Sequence, residues 1–244
     1  MTKDGSRELI NGTFDWVYEE EFGCRDGFRW NDSASHIAYW QLDAAGTREY
    51  NMINNTDSIY PTIIPIQYPK VGEDPSVCKI GVINLNDSQT TWVEIPEFKK
   101  DSYVPAIQWI NNHELLIQTL NRHQNHLQMW VYDIHTQKTR LLYEEKEDTW
   151  VDLKYPDATA VSWGRTDMYE ADGGASVLRM TENDDWRHVY KINLTNGTKS
   201  LVTPGNYDVA SIQNSSSNNL YYICLLYTSP SPRDLSTSRM PSSA

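Results

Sequence analysis

The sequence predicts an all-β chain folded as a β-propeller of four-stranded antiparallel blades. Three observations support that class. Helical periodicity is nearly absent. Short apolar or alternating runs are separated by clusters of Asn, Asp, Gly, Ser and Pro. A strand–turn–strand unit recurs along the chain. Aromatic residues are also plentiful, with nine Trp and fifteen Tyr in 244 residues, and flat side chains suit a pleated surface.

In chain order, "HIAYWQL", "CKIGVINL", "TTWVEI", "ELLIQTL", "LQMWVYDI", "TRLLYE", "HVYKINL", "TKSLVT" and "LYYI" read as strands. Most are five to seven residues long, the usual length of a strand. The recurring unit is "VINLNDSQTTWVEI" from Val82, "VYDIHTQKTRLLYE" from Val131 and "VYKINLTNGTKSLV" from Val189, with starts 49 and 58 residues apart. "FRWND", "IQWIN" and "AVSWG" add a further strand to each unit, ending at Trp30, Trp109 and Trp163. Four short strands at this spacing match a propeller blade. A sandwich also has many short strands, but not a self-similar four-strand unit. About three to four blades fit in the chain, and a propeller closes so that its edges are not left bare. The expectation is therefore an arc of a larger ring.

Two segments are expected to depart from the pattern. In "SWGRTDMYEADGGASVLRMTEN" (Ser162 to Asn183) the second strand is obscure, and the blade there is expected to be locally irregular. "IIPIQYPKVG" reads as an extended loop leaving a strand, because proline cannot donate to a central ladder. The domain expectation is a partial propeller over residues 1–223 and a disordered, non-native tail over 224–244. That tail is rich in Ser, Pro and Arg. "CLLYTSPSPRD", Cys224 to Asp234, resembles one reading frame of a sequencing-library adapter.

Composition excludes several functions. The net charge of −12 offers no basic footprint for nucleic acid and favours cationic ligands. No apolar run reaches the roughly 18 to 20 residues that span a bilayer, and the first residues carry no signal-peptide stretch. The three cysteines, Cys24, Cys78 and Cys224, form no CxxC. Cys24 and Cys78 are expected to be free thiols. Of the six histidines, His123 and His126 have no evident third metal ligand, and His188 reads as a structural histidine within a strand. No metal and no cofactor are expected. Seven Asn-x-Ser/Thr sites, at Asn11, Asn31, Asn54, Asn86, Asn193, Asn196 and Asn214, establish little in a loop-rich protein.

The stretch "DWVYEEEF", Asp15 to Phe22, places three glutamates behind an aromatic patch. A charge run is ordinarily a solvated face. A short helix is nevertheless sensible here: Asp15 can cap its N-terminus, and acids near that end are favoured by the helix dipole.

This motif resembles the glutamate motif in the propeller of the dipeptidyl peptidase IV family of the prolyl oligopeptidase clan. "IAYWQLD", "YPTIIPIQYPKVG", "WVDL" and "DWRHVY" agree with it, and the resemblance runs from about Thr2 to Ile223. It implies an eight-bladed propeller capping a C-terminal α/β-hydrolase domain. It also implies a serine exopeptidase that releases N-terminal dipeptides, with Pro or Ala second. The catalytic Ser, Asp and His would lie in that hydrolase domain; this chain has no G-x-S-x-G elbow. Its own part would be recognition of the substrate N-terminus and gating. By the resemblance Glu20 and Glu21 bind substrate, while Asp15, Trp16, Tyr18 and Glu19 support them. Peptides with a free N-terminus, the hydrolase domain and a second copy of the parent are the implied partners, and an extracytoplasmic location is implied. After Trp150 and Val151 the chain reads Asp152-Leu153-Lys154 where the animal enzymes carry Gly-Arg-Phe. Two rivals stand beside this reading. One is a non-catalytic propeller that binds protein. The other is a different clan member, against which the paired glutamates argue.

Overall fold

A computed structural model describes residues 2–153, 169–215 and 219–225. The first sheet opens with β1 (Leu9–Asn11), helix α1 (Trp16–Glu21) and β2 (Phe28–Trp30), followed by β3 (His36–Asp43). β1 and β2 both pair antiparallel with β3: Leu9 to Asn11 face Asp43 to Gln41, and Phe28 to Trp30 face Tyr39 to Ile37. They are two halves of one strand, parted at Trp40, and residues 12–27 loop out between them carrying α1. The backbone of Trp40 closes the gap, accepting from Gly12 N at 2.9 Å and donating to Gly27 O at 3.0 Å.

The neck of this insertion needs glycine. Gly27 N donates to Gly12 O at 3.1 Å, and a Cβ on Gly27 would lie 2.6 Å from Gly12 C and 2.7 Å from Thr13 N. Both obstacles are backbone atoms that cannot swing aside. Gly27→Ala is therefore expected to destabilise the fold by about 1–3 kcal/mol, the usual range for overpacking. A urea midpoint equal to that of the parent would overturn this expectation.

β4 (Glu49–Asn54) and β5 (Thr62–Gln67) form a separate two-stranded hairpin, with Ile53 opposite Ile63 and Asn51 opposite Pro65. This corrects the expected loop. β5 pairs on one side only, so a residue without an N–H is tolerated. β6 (Val77–Asn84) returns to β3, and β7 (Thr90–Trp92) completes the first sheet.

The second sheet is a plain meander of β8 (Tyr103–Trp109), β9 (Glu114–Leu120), β10 (His126–Asp133) and β11 (Lys138–Lys146). The third is β12 (Tyr169–Ala171), β13 (Ser176–Thr181), β14 (His188–Asn193) and β15 (Lys199–Leu201). β16 (Asp208–Ser215) and β17 (Leu220–Leu225) pair as a two-stranded sheet. Three complete blades, the separate β4–β5 hairpin and the β16–β17 pair make up the sheets of the described residues, an open propeller as the repeat predicts.

Two expectations change in the later part of the chain. From Tyr169 to Asn183 the blade is regular: β12 turns through Asp172–Gly174 into β13, all six of whose residues are buried. Residues 162–168 of that stretch, with Trp163, lie outside the described residues, as does Lys154. The expected domain boundary at Ile223 falls inside β17, because Cys224 and Leu225 continue the ladder opposite Val209 and Asp208. Of the expected tail, residues 226–244 lie outside the described residues.

Packing follows from the stacking of blades. Strands between two sheets are buried on both faces, so β3 buries six consecutive residues, Ile37 to Leu42, and reads as a continuous apolar run rather than an alternating one. One core unites the first two sheets around Trp40, Leu115, Leu116 and Leu127 and extends to Val177 and Ile192 of the third. A second core, with Leu178, Val189 and Val209, joins the third sheet to β16. The first two blades are also stitched by hydrogen bonds. Trp40 Nε1 donates to Val104 O at 2.8 Å, and Trp109 Nε1 to Arg29 O at 3.0 Å. The register of β8 shifts between Tyr103 and Ala106. Val104 spends its N–H on Tyr18 Oη there, at 3.0 Å, and Pro105 has none.

Candidate functional site: the glutamate helix

Helix α1 has six residues, too few to be stable alone. Its ends and one face hold it. Asp15 is the N-cap, as expected: its Oδ1 accepts from Tyr18 N at 3.0 Å. Asp15 Oδ2 accepts from Ser76 Oγ at 2.5 Å, which ties the cap to the start of β6. Tyr18 is completely buried; it stacks on Phe14, with ring centroids 5.6 Å apart, and packs at a tilt against Phe22 at 5.5 Å. Burial pushes the Tyr18 hydroxyl well above its ordinary pKa, so it serves as a neutral anchor that accepts from Val104. Trp16 is 40% exposed and packs on Tyr68 beyond the β4–β5 hairpin, at 4.2 Å between centroids. The helix ends where Gly23 takes a φ of +60°, and Phe22 N and Cys24 N both donate to Tyr18 O.

Tyr18 and Phe22, four residues apart, face the core, so the glutamates between them are turned outward. The three behave differently. Glu19 lies in the first turn and pairs with Arg25 Nη1 at 2.5 Å. Glu20 is exposed and has no hydrogen-bond or ion-pair partner among the described residues. Glu21 is exposed, and its Oε1 accepts from Gln124 Nε2 of the β9–β10 turn at 2.6 Å.

The expected help from the helix dipole reaches Glu19 alone. Glu20 and Glu21 sit in the last turn, which contains no basic residue. Carboxylates are disfavoured at that electronegative end. Two adjacent acids there are an electrostatic conflict that a cation would relieve, and such breaches of local preference are expected at functional sites.

Other blades wall the neighbourhood. Tyr103 rests edge-on against Tyr18, with centroids 6.1 Å apart, and its hydroxyl is hydrogen-bonded by Arg122. Burial raises the Tyr103 pKa; Arg122 opposes the rise and the nearby Glu21 adds to it. Gln124 has a φ of +54° in a turn held by its N–H to Asn121 O at 2.9 Å. Its carbonyl accepts from Val151 N at 2.8 Å. This fixes the segment that presents Trp150, 51% exposed. Asp152 Oδ2 in turn meets Arg187 Nη2 at 3.0 Å, and Arg187 also pairs with Glu182 at 2.6 Å. Gln124, Arg187 and Tyr103 were not found from the sequence. The Asn-rich "NRHQNH" signals a turn, but no local pattern tells that it reaches a helix 103 residues earlier.

The remaining candidates are structural. His188 is buried between Asp184 and Gly205 O, each at 2.9 Å. His126 Nε2 meets Glu144 at 2.8 Å. Cys24 and Cys78 are buried free thiols, each with its pKa pushed up to about 12 by burial. Among the described residues no group of three or more His, Cys, Asp or Glu is arranged to hold a metal ion.

The chain is similar to known proteins. The family model for the dipeptidyl peptidase IV N-terminal region matches residues 1–235. A probable dipeptidyl peptidase 4 of Emericella nidulans is 25% identical over 226 residues, covering 87% of this chain and 28% of its own length. Dipeptidyl peptidase 4 of Sus scrofa is 24% identical over 243 residues, covering 91% and 30%. The crystal structure of Porphyromonas gingivalis dipeptidyl peptidase 4 superposes with a TM-score of 0.72 at 29% identity, over 86% of this chain and 29% of that one. The chain spans less than a third of the length of each of these relatives.

Proposed function

The chain belongs to the dipeptidyl peptidase IV N-terminal region family, and we propose that it grips the N-terminus of a peptide for a serine exopeptidase that releases Xaa-Pro and Xaa-Ala dipeptides. The pair Glu20 and Glu21 carries this reading: two adjacent, outward-facing carboxylates at the electronegative end of a helix whose last turn holds no basic residue. A peptide α-ammonium, with a reference pKa of about 7.7 to 8.0, is largely cationic near neutral pH. It would relieve the conflict at the helix end and donate charge-assisted hydrogen bonds to both side chains. Holding the peptide by its end sets the distance to the scissile bond and so counts two residues. The nucleophile and base would come from a C-terminal α/β-hydrolase domain. The setting is extracytoplasmic, and no cofactor is needed for the chemistry. Among the described residues no helix is long and apolar enough to cross a membrane.

The reading is tested in the full-length enzyme by comparing kcat/KM for an Xaa-Pro substrate with a free N-terminus and for its N-acetylated form. Acetylation removes the charge and leaves the two carboxylates facing a neutral amide. Equal kcat/KM for both substrates would refute the grip.

The β4–β5 hairpin supports a second part of the proposal, a homodimer. Ile53 and Ile63 face each other across it, each 66% exposed, with Ile59 and Tyr60 still more open at its tip. A contiguous apolar patch on a short two-stranded element is the kind of surface that a partner covers. Replacing both Ile53 and Ile63 with Asp is expected to shift the full-length protein from dimer to monomer in sedimentation velocity. A dimer that survives both substitutions would place the interface elsewhere.

A further inference from the structure

We propose that Asn196 carries an N-linked glycan at the end of the propeller away from the glutamate helix, a modification that rests on the extracytoplasmic setting proposed above. The amide Nδ2 would attack C1 of an oligosaccharide held on a lipid diphosphate. The C1–N bond forms and the C1–O bond breaks. The lipid diphosphate leaves with the electron pair, and one amide proton passes to a base.

Seven Asn-x-Ser/Thr sequences occur, and the structure separates them. A glycan is bulky and must stand in water. Asn31 is only 3% exposed; its Nδ2 donates to Asn112 O at 3.0 Å, and its Oδ1 accepts from Ser35 N and His36 N. Asn11 lies within β1, donating to Asp4 and accepting from Gln41. Asn54 closes β4 beside Ile53, and its Nδ2 donates to Asp57 at 2.6 Å. Asn214 depends on Ser216, which lies outside the described residues. Asn86, Asn193 and Asn196 remain, in the β6–β7 and β14–β15 turns.

These two turns repeat the geometry of the β10–β11 turn. Asn84, Asp133 and Asn193 stand first in them, with carbonyls that accept from Ser88 N, Gln137 N and Gly197 N, each at 2.8 Å. Their Oδ1 atoms accept from Asn86 N, His135 N and Thr195 N. That duty accounts for the half-buried Asn193. Three residues on, the turns carry Asp87, Thr136 and Asn196, so the turn itself does not call for asparagine there. Asn196 is exposed, and its Nδ2 has no hydrogen-bond partner among the described residues. Its Oδ1 accepts from Thr198 N at 2.9 Å. This Asx turn brings the acceptor to the threonine that completes the site, and three residues suffice to form it in a nascent chain. Asn86 is exposed too, but among the described residues no bond joins its side chain to Ser88.

The turn has room for a sugar. Its packed residues are Leu194, which is buried and whose carbonyl accepts from Arg140 Nη2 at 2.8 Å, and Gly197, where a Cβ would meet Leu142 O. Asn196 and Thr198 are exposed. The bond from Arg140 sets this turn beside the β10–β11 turn of the second blade. The β9–β10 turn, whose Gln124 meets Glu21, is at the other end of β10. The eight residues of that strand span about 25 Å, so a glycan at Asn196 leaves the glutamates uncovered.

Peptide mapping of the full-length protein, made in insect cells under its own N-terminal sequence, tests the site. Asn196 should be occupied in most of the protein recovered from the medium. Thr198→Ala, which keeps Asn196, should lose that glycan, and Thr198→Ser should keep it. Asn196→Gln should lose it as well, with kcat/KM for Xaa-Pro substrates unchanged; if that variant fails to fold, the two Thr198 variants carry the test. Secreted protein with Asn196 unmodified would overturn the site and leave the setting standing. A glycan on Asn31 would overturn the exposure rule that selects Asn196. A loss of kcat/KM in step with loss of the sugar would overturn its placement away from the glutamates. Protein retained in the cytosol would refute the extracytoplasmic setting, and the glycan fails with it.

Discussion

Alanine in place of Glu20 or Glu21 is expected to lower kcat/KM for Xaa-Pro substrates with a free N-terminus by roughly one to two orders of magnitude. The figure follows from the bond each carboxylate would make. A charge-assisted hydrogen bond is worth on the order of 1.5 to 3 kcal/mol, and about 1.4 kcal/mol corresponds to a tenfold change in rate. The losses need not add, because both carboxylates would bind one ammonium. Glu19→Ala is expected to act differently. Its partner Arg25 is partly exposed, so the ion pair itself contributes little, and its removal should loosen the helix more than it weakens substrate capture. Raising the pH through about 8 should weaken capture in the parent as the α-ammonium loses its proton, and should have less effect once either carboxylate is gone. The measurement is kcat/KM for the three alanine variants on free and acetylated substrates across that range. Full activity in Glu20→Ala and Glu21→Ala would return the two acids to an ordinary solvated face.

The parts of the fold that could be read from sequence are those set by local chemistry. β9 and β10 are apolar runs between Asn-rich turns, and Asp15 before Trp16 announces a capped helix. The glutamates could be singled out because a charge run beside Tyr18 and Phe22 is an unusual pairing of residues. What could not be read depends on distant partners. "LIN" and "FRW" become one interrupted strand only because β3 offers both halves its ladder. β5 forms a strand despite Pro65 because it has a neighbour on one side only. The contact between Gln124 and Glu21 joins two turns with no shared pattern. β13 was obscure for a particular reason: "SVLRMT" carries Arg179 in the middle of a wholly buried strand, and a charged residue there breaks any apolar template until its partner is known.

That partner is Glu145, and separating the two is expected to produce a large loss of stability. Arg179 Nε donates to Glu145 Oε2 at 2.8 Å, with the side chains 1% and 3% exposed. Glu145 Oε1 accepts from Thr181 Oγ1 at 2.5 Å, and Tyr143 Oη donates to Oε2 at 3.3 Å. The carboxylate is thus well satisfied, and it joins β11 of the second blade to β13 of the third. Such a pair adds modest net stability over an apolar replacement, because both ions have been taken out of water. Breaking it is another matter, because one charge stays behind without its counterion. Arg179→Met should therefore destabilise the protein by about 3–5 kcal/mol. Glu145→Leu alone should also be destabilising, because it removes the guanidinium's carboxylate partner on β11. The double variant, with methionine and leucine in contact, should recover much of the loss, so that the two single effects are far from additive. Chemical denaturation of the wild type, both single variants and the double variant closes the cycle. Single variants within about 1 kcal/mol of wild type, or a double variant as unstable as the sum of its parts, would mean that the ions are not mutually dependent and that apolar packing alone joins these two blades.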